Sequence, residues 1–392
     1  MQPITFIEYY YYSTAYYIAL VLLTWITCIY YVGSNGQKVL RSDDSPSQFA
    51  AVVLTTVVAV FCGLRQLARD FGDTIGYANH YNYSTQYQHA DLSSEWMWQN
   101  FQMFCKFTLH FNVHEFFLLV SIIYFSCMLI CCIILTRSNL WMGMLFFLTA
   151  FDTFSYGVNG IRNGAALSLV LVAIALLSNE KPKPKVAIFL MWIALVNHRS
   201  SALPSVAALF SYYYCRDTKQ VLRFWFASIA ISLVAGNAVS SLFAALGFDD
   251  RMSTYHQGQF REGNAEIFSH VGFRWDFLLY SAFPVLMIWY VTRYRSFNDR
   301  RFAVIANTYL FCSAFWIMVI RSSFSNRFAY LSWFLHPLVM FYPLFRLNLW
   351  KDQDRKTSLI LFAYSGFTFF MFFIYYFGTT GFRGFDQYWW RR

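Results

Sequence analysis

Charged residues are scarce in this chain of 392 residues, since aspartate, glutamate, lysine and arginine together make up only 13% of it. Hydrophobic residues make up 58%, well above the share of about 45–50% that soluble globular proteins contain. Apolar runs recur from one end of the sequence to the other, and most are long enough for a helix that crosses a bilayer. The composition excludes a soluble globule and predicts an all-α, polytopic membrane protein in which residues 1–392 form a single integral membrane domain.

Several functional motifs are also missing. The eight cysteines have no metal-ligand spacing and lie mostly inside apolar runs, so neither a zinc site nor a disulfide is expected. No glycine-rich phosphate loop is present, which argues against a nucleotide substrate. The net charge of +10 comes from basic residues scattered over short loops, whereas nucleic-acid binding favours one basic stripe. We therefore expect no metal, no other cofactor and no nucleic-acid partner.

Counting the apolar runs predicts about twelve membrane spans. The first run has no basic flank and no cleavage site, so it indicates a retained helix rather than a signal peptide. The sixth and seventh runs are short, and they are either separate spans or half-helices broken at His198–Pro204. The predicted spans lie near 9–31, 48–64, 114–135, 139–156, 163–178, 186–197, 200–215, 224–246, 274–292, 302–320, 328–345 and 357–378.

Lysine and arginine are distributed differently over the two sides that these spans define. The lysine-bearing loops, among them NEKPKPK at 179–185, share one side, which the positive-inside rule assigns to the cytoplasm. Both termini and the two largest loops, 65–113 and 247–273, then face outward. Seven of the eight lysines lie inside, Lys106 being the exception, whereas twelve arginines lie outside. This asymmetry indicates an anionic ligand on the outer side, because a planar guanidinium makes bidentate bonds to phosphate and carboxylate.

The outward-facing polar residues are concentrated in short stretches. The first stretch, GLRQLARDFGDTIGY at 63–77, holds Arg65, Arg69, Asp70 and Asp73. A single arginine at a helix end is about as often a snorkelling anchor as a ligand, but anchoring alone does not prefer arginine to lysine. Later stretches on the same predicted side hold Glu95, Arg162, His198, Ser201, Arg321 and Arg327.

Three of these stretches, in this order, resemble the EpsG-type family of polysaccharide polymerases, which is related to the Wzy polymerases of O-antigen and capsule synthesis. They are GLR, six residues and GDTIGY; then NGIRNGAALSL; then NHRSSALPS. The resemblance covers residues 63–210. It implies a fold similar to the membrane glycosyltransferases of GT-C type, with the active site on the outer face of the bacterial inner membrane.

The resemblance also implies the reaction and its substrates. A hydroxyl of one undecaprenyl-diphosphate-linked oligosaccharide would attack the anomeric carbon of a growing chain and release polyprenyl diphosphate. Such a reaction needs a base for the hydroxyl proton and cations for the departing diphosphate, and it needs no metal when arginines supply the charge. Membrane lipid and a chain-length regulator protein are the other expected partners.

Asp73 and His198 are the predicted catalytic residues, because a carboxylate or an imidazole must accept the hydroxyl proton. Asp70 stays an alternative to Asp73, since the family's usual Gly-Thr-Asp order is replaced by Gly72-Asp73-Thr74. The predicted substrate-binding residues are Arg65, Arg69, Tyr77, Glu95, Arg162, Ser201, Arg321 and Arg327.

Two other functions fit part of the sequence. A lipid or polysaccharide flippase should have paired halves with broken helices at matching positions, whereas only one break, at 198–204, is predicted. An O-antigen ligase, or a glycosyltransferase that uses a polyprenyl-phosphate sugar, would share the outward arginines. Such a transferase normally carries a larger outer loop late in the chain.

Overall fold

A computed structural model describes residues 1–33, 45–85, 95–136, 140–245, 273–297, 299–321 and 325–380, and these residues are helical without any strand. The all-α prediction is therefore confirmed for this part of the chain. The helices are α1 Tyr12–Gly33, α2 Ser45–Gly63, α3 Thr74–Tyr83, α4 Trp96–Met103, α5 Val113–Thr136, α6 Leu140–Leu148, α7 Thr153–Val158, α8 Ile161–Leu177, α9 Pro184–Asn197, α10 Ala202–Tyr213, α11 Thr218–Ala245, α12 Trp275–Trp289, α13 Arg300–Met318, α14 Ser325–Trp333, α15 His336–Arg346 and α16 Gln353–Thr380. Single 3₁₀ or π-helical turns lie at Tyr9–Tyr11, Arg69–Phe71, Phe104–Thr108, Arg199–Ser201 and Tyr290–Tyr294.

Six helical segments of the described residues are long and apolar enough to cross a membrane, so the protein is a multi-pass membrane protein. Three more apolar helices are shorter than the roughly 20 residues that a span requires. The predicted count of about twelve spans and the GT-C arrangement stay predictions. The six segments are Tyr9–Gly33, Val113–Thr136, Trp275–Tyr294, Arg300–Met318, Arg327–Arg346 and Gln353–Phe373.

The predicted break between the sixth and seventh apolar runs is present. Helix α9 ends at Asn197, His198 has an extended backbone, and the 3₁₀ turn Arg199–Ser201 leads into α10. Pro204 falls in the first turn of α10, where a missing backbone N–H costs no helical hydrogen bond. The break places the side chains of a polar stretch between two apolar helices.

The predicted span 139–156 is interrupted in a way that its sequence does not reveal. Helix α6 ends at Leu148, and α7 begins at Thr153. The carbonyls freed by the interruption accept hydrogen bonds from tyrosines of α1: Tyr16 donates to Leu148 O at 2.7 Å, and Tyr17 to Phe151 O at 3.2 Å. A bilayer tolerates such a break only where protein satisfies the freed backbone groups, and here the neighbouring helix does so.

Helices α3 and α4 belong to the predicted outward loop 65–113 and pack as a small layer on the bundle. Tyr81 of α3 stacks on Phe116 of α5 with ring centroids 4.7 Å apart. Trp98 of α4 meets the same Phe116 ring edge-on at 5.6 Å and is buried. The aromatic contacts therefore fix both short helices to α5.

Lys106, the one lysine predicted to face outward, holds the carboxyl end of α3. Its ammonium donates hydrogen bonds to three backbone carbonyls, Tyr81 O at 2.9 Å, Asn82 O at 2.7 Å and Ser84 O at 2.8 Å. Carbonyls at the end of a helix lack intrahelical donors, and a cation there also interacts favourably with the helix dipole. Lys106 therefore has a structural explanation that is independent of any ligand.

We expect Lys106→Met to destabilise the protein by about 1.5–3 kcal/mol, the usual worth of a hydrogen bond to a charged group. The loss should appear as a lower melting temperature of the purified protein in detergent. Lys219→Met is the matched control, because Lys219 is exposed on α11. Equal melting temperatures for the two variants would contradict the capping role.

Candidate active site

A cavity of about 340 Å³ lies between α3, α4, α8 and α14. Its volume falls within the range of about 300–1,000 Å³ that is typical of small-molecule sites. The lining combines a carboxylate, an imidazole, an amide and two guanidinium groups with two aromatic rings. The lining residues are Asp73, Gly76, Tyr77, His80, Trp98, Gln99, Arg162 and Arg327.

One wall of the cavity is a single face of α3. The four residues Asp73, Gly76, Tyr77 and His80 have the spacing i, i+3, i+4, i+7, which places them in one row along a helix. The residues Thr74, Ala78 and Tyr81 have the same period one step later, and they are buried against the bundle. Helix α3 therefore buries one row of side chains against the bundle and lines an open cavity with the row that contains Asp73 and His80.

A tight turn places Asp73 at the start of α3. Gly72 has a φ of +59°, a conformation that residues with a side chain rarely adopt. A Cβ atom on Gly72 would also lie 2.4 Å from Asn159 Oδ1, and that same oxygen accepts a hydrogen bond of 2.8 Å from the Asp73 backbone N–H. The Asp73 side chain makes no capping hydrogen bond to the helix. The turn therefore presents the carboxylate toward the cavity.

Arg65 supports this turn through hydrogen bonds to Thr74. The side chain is fully buried, and its Nε and Nη2 donate to Thr74 Oγ1 at 3.2 and 3.1 Å while Nη1 donates to Cys62 O at 3.0 Å. Thr74 Oγ1 in turn donates a hydrogen bond to Val158 O at 2.7 Å. Burial lowers the pKa of Arg65 to about 10, so the guanidinium stays charged at neutral pH. Arg65 has no exposed surface and does not line the cavity, so its contacts in the structure are with the turn that carries Asp73.

Glu95 connects three elements through one carboxylate. Its Oε2 accepts from Arg162 Nη1 at 2.5 Å, and its Oε1 pairs with His198 Nδ1 and accepts from the Arg199 backbone N–H at 3.1 Å. Burial alone would raise the pKa of Glu95, but the hydrogen bond and charge of His198, the charge of Arg162 and the Arg199 N–H hold it below its usual range. Glu95 is therefore ionised, and it aligns Arg162 at the start of α8 with the break between α9 and α10.

The lowered pKa of Glu95 predicts an acid-sensitive contribution to stability. A carboxylate whose pKa is depressed by folding stabilises the protein above its unfolded pKa of about 4.3, and this contribution is lost as the pH falls through the folded value. We expect Glu95→Gln to remove this part of the acid dependence of the melting temperature below about pH 4.3. Glu180→Gln, an exposed glutamate that pairs with Arg301 at 3.4 Å, is the control. A Glu95→Gln protein with the wild-type acid profile would contradict the ionised junction.

The structure brings some of the predicted site residues together and separates others. Asp73, Tyr77, Arg162 and Arg327 line the cavity. Glu95 contacts Arg162, and His198 is connected to the cavity through Glu95. The buried Ser201 follows His198, and its Oγ has no hydrogen-bond partner among the described residues.

Arg69 and Arg321 do not line the cavity. Arg69 is exposed on a 3₁₀ turn. Arg321 donates to Leu233 O at 3.4 Å, beside the bend of α11 at Ala235. Most of the predicted outward loop 247–273 lies outside the described residues.

Four lining residues were not predicted as site residues: Gly76, His80, Trp98 and Gln99. A signal for the first two exists in the sequence, because the spacing from Asp73 to His80 marks one helical face. Trp98 and Gln99 lie on α4, and their position beside α3 depends on packing against α5, for which no local motif exists.

Within the described ranges, no group of three or more His, Cys, Asp or Glu side chains could hold a metal ion.

No curated protein and no solved structure matches the chain. A profile of the EpsG family matches residues 49–388, a range that contains every residue of the cavity together with Glu95 and His198. Because this range covers most of the sequence, the protein is a member of the EpsG family.

Proposed function

We propose that the protein is a polysaccharide polymerase that joins undecaprenyl-diphosphate-linked oligosaccharide repeat units. The observation that carries the proposal is one cavity that holds the Asp73 carboxylate together with the guanidinium groups of Arg162 and Arg327. A glycosyl transfer from a diphosphate needs both chemistries at once, a base at the attacking hydroxyl and cations at the leaving group.

In the proposed reaction, the acceptor hydroxyl attacks the anomeric carbon of the donor. Asp73 accepts the hydroxyl proton as the new bond between oxygen and carbon forms. The bond from the anomeric carbon to the diphosphate oxygen breaks, and its electron pair leaves with the polyprenyl diphosphate. Arg162 and Arg327 bind the departing anion, whose charge increases as the bond breaks.

Arg162 is well placed for this role. It is the second residue of α8, and the start of a helix adds favourable potential for an anion. Glu95 accepts a hydrogen bond from one terminal nitrogen of the Arg162 guanidinium. The Nε atom of Arg162 has no hydrogen-bond partner among the described residues. The orientation of Arg162 is therefore set before a ligand arrives, which reduces the cost of binding.

His198 is the second candidate for the base. Pairing of Glu95 with Nδ1 leaves Nε2 as the nitrogen that could accept a proton, as in a carboxylate–histidine pair of a hydrolase. Asp73 is favoured because it lines the cavity, whereas His198 reaches it only through its neighbours. Arg65, buried and bonded to Thr74, acts as a positioning residue for Asp73.

We place the reaction on the outer face of the bacterial inner membrane, with both termini on that side. The distribution of lysine supports this orientation. Lys106 is the one lysine on the predicted outer side, and its hydrogen bonds to the end of α3 explain its position there. A chain-length regulator protein is the proposed partner in the membrane. No metal or other cofactor takes part in the proposed reaction.

The test is reconstitution of the purified protein in liposomes with undecaprenyl-diphosphate-linked repeat units. A polymerase produces a ladder of lipid-linked products whose lengths increase by one repeat unit. A single transfer to a different acceptor would instead indicate a ligase. Movement of the substrate across the bilayer without a new bond would indicate a flippase, and either result would overturn the proposal.

A further inference from the structure

Gly76 occupies the middle of the reactive face of α3, between Asp73 and His80. A Cβ atom built there meets nothing within 4 Å, so the space in front of Gly76 is open. Other glycines of the site are different: a Cβ atom on Gly164 would lie 2.8 Å from Tyr156 O, and one on Gly72 would strike Asn159. Packing therefore explains those two glycines and does not explain Gly76.

A glycine inside a helix has a cost. It destabilises a helix by about 0.5–1 kcal/mol relative to alanine. The backbone of Gly76 is helical and not left-handed, so alanine would be accepted there without strain. Gly76 is exposed at the cavity, so the feature that glycine provides at this position is unfilled space in front of the helix.

The groups around this volume fit an uncharged ligand that carries many hydroxyls. Asp73 accepts hydrogen bonds, His80 can donate or accept, and the amide of Gln99 does both. The rings of Tyr77 and Trp98 lie edge-on with centroids 6.1 Å apart and give the same space an apolar surface. A sugar ring has this combination of polar rim and apolar face.

We propose that the space above Gly76 is the subsite for the terminal sugar ring of the acceptor, and that Gly76 limits which ring substituents the protein admits. The inference rests on the proposed polymerase function, in which Arg162 and Arg327 hold the donor diphosphate in the same cavity. The cavity then has a donor compartment and an acceptor compartment, and Gly76 determines the depth of the acceptor compartment.

The experiment uses Gly76→Ala and Gly76→Leu, with Asn79→Leu as the control. Asn79 is exposed on the same helix and does not line the cavity. Two probes are titrated into the purified proteins: undecaprenyl diphosphate, and the lipid-free oligosaccharide repeat unit from the surface polysaccharide of the producing cells. Binding is followed by tryptophan fluorescence, because Trp98 lines the cavity, and melting temperatures show whether each variant is folded.

We expect Gly76→Leu to weaken binding of the oligosaccharide by about 10–200-fold, the range that one misfitting hydrocarbon group produces in a specificity pocket. Gly76→Ala should have a smaller effect, and undecaprenyl diphosphate should bind all variants equally. In the elongation assay, the same loss should appear as a higher KM for the acceptor. Asn79→Leu should behave as wild type throughout.

Two results would overturn the inference. One is oligosaccharide binding to folded Gly76→Ala and Gly76→Leu proteins with wild-type affinity. The other is loss of undecaprenyl diphosphate binding in Gly76→Leu with the oligosaccharide unaffected, which would assign the space to the donor. Failure of the proposed function is distinguishable, because a wild-type protein that forms no polymer still reports on the subsite through direct binding.

Discussion

Asp73→Asn is expected to slow chain elongation by about 10²–10⁴-fold, the usual contribution of a positioned general base. Asparagine preserves the shape of the side chain and its ability to accept a hydrogen bond, but it cannot take up a proton at neutral pH. Donor binding should be unchanged, because the guanidinium groups of Arg162 and Arg327 are intact. Single-turnover elongation beside a binding assay for undecaprenyl diphosphate separates the two effects.

Asp70→Asn is the matched control for this prediction. Asp70 lies three residues earlier, is exposed, and does not line the cavity. Its loss should change elongation little, because the Asp70 carboxylate lies outside the cavity lining. His198→Ala tests the competing base. Near-normal elongation by Asp73→Asn together with a collapse in His198→Ala would transfer the base role to His198.

Arg162→Lys should retain the fold and lower the rate constant of elongation by about 10²–10³-fold, the cost of removing one preorganised donor to a developing anion. Lysine keeps the positive charge but replaces a planar fork with a single point charge. It also loses the geometry in which one guanidinium nitrogen contacts Glu95, 2.5 Å away, while the Arg162 side chain lines the cavity. The prediction concerns the rate more than the acceptor KM, which distinguishes it from the Gly76 variants.

Arg69→Lys is the control for the charge chemistry, because Arg69 is exposed and lies apart from the cavity lining. We expect wild-type elongation from this variant. The measurement is a time course of products from the reconstituted proteins, with undecaprenyl diphosphate tested as a competitor. If Arg162→Lys elongated as fast as Arg69→Lys, Arg162 would be a helix anchor, and the diphosphate site would have to be sought elsewhere.

The fold was predictable where a single local property decides it. Continuous apolar composition marks the long helices, and the polar stretch around His198 marks the break before α10. The interruption between α6 and α7 was not predictable, because its polar partners, Tyr16 and Tyr17, lie more than a hundred residues earlier in the chain. A tyrosine in an apolar run does not show in advance which carbonyl it will bind.

The candidate site shows the same division. The three motifs lie close together in the structure, since Asp73 and Arg162 line one cavity and Glu95 connects Arg162 with His198. The sequence did not show which of the arginines lies in the cavity lining and which is buried beneath it. Arg65 and Arg162 both sit at the edge of an apolar run, yet one is buried under Thr74 and the other lines the cavity. Only the packing of α3 against the bundle separates a supporting arginine from one that can meet a ligand.

The long separation between the partners of the Glu95 junction determines when the site can form during synthesis. Glu95 and His198 are 103 residues apart, and Thr74 and Val158 are 84 apart. At a synthesis rate of about 5–20 residues per second, Glu95 waits roughly 5–20 s for its imidazole partner after it has been made. During this interval α3 and α4 are held by earlier parts of the chain, through the aromatic contacts with α5 and the hydrogen bonds that Lys106 and Arg65 donate to α3. Synthesis of the chain through residue 198 is therefore a prerequisite for assembly of the Glu95 junction, and a nascent chain that stalls before residue 198 leaves Glu95 without that partner.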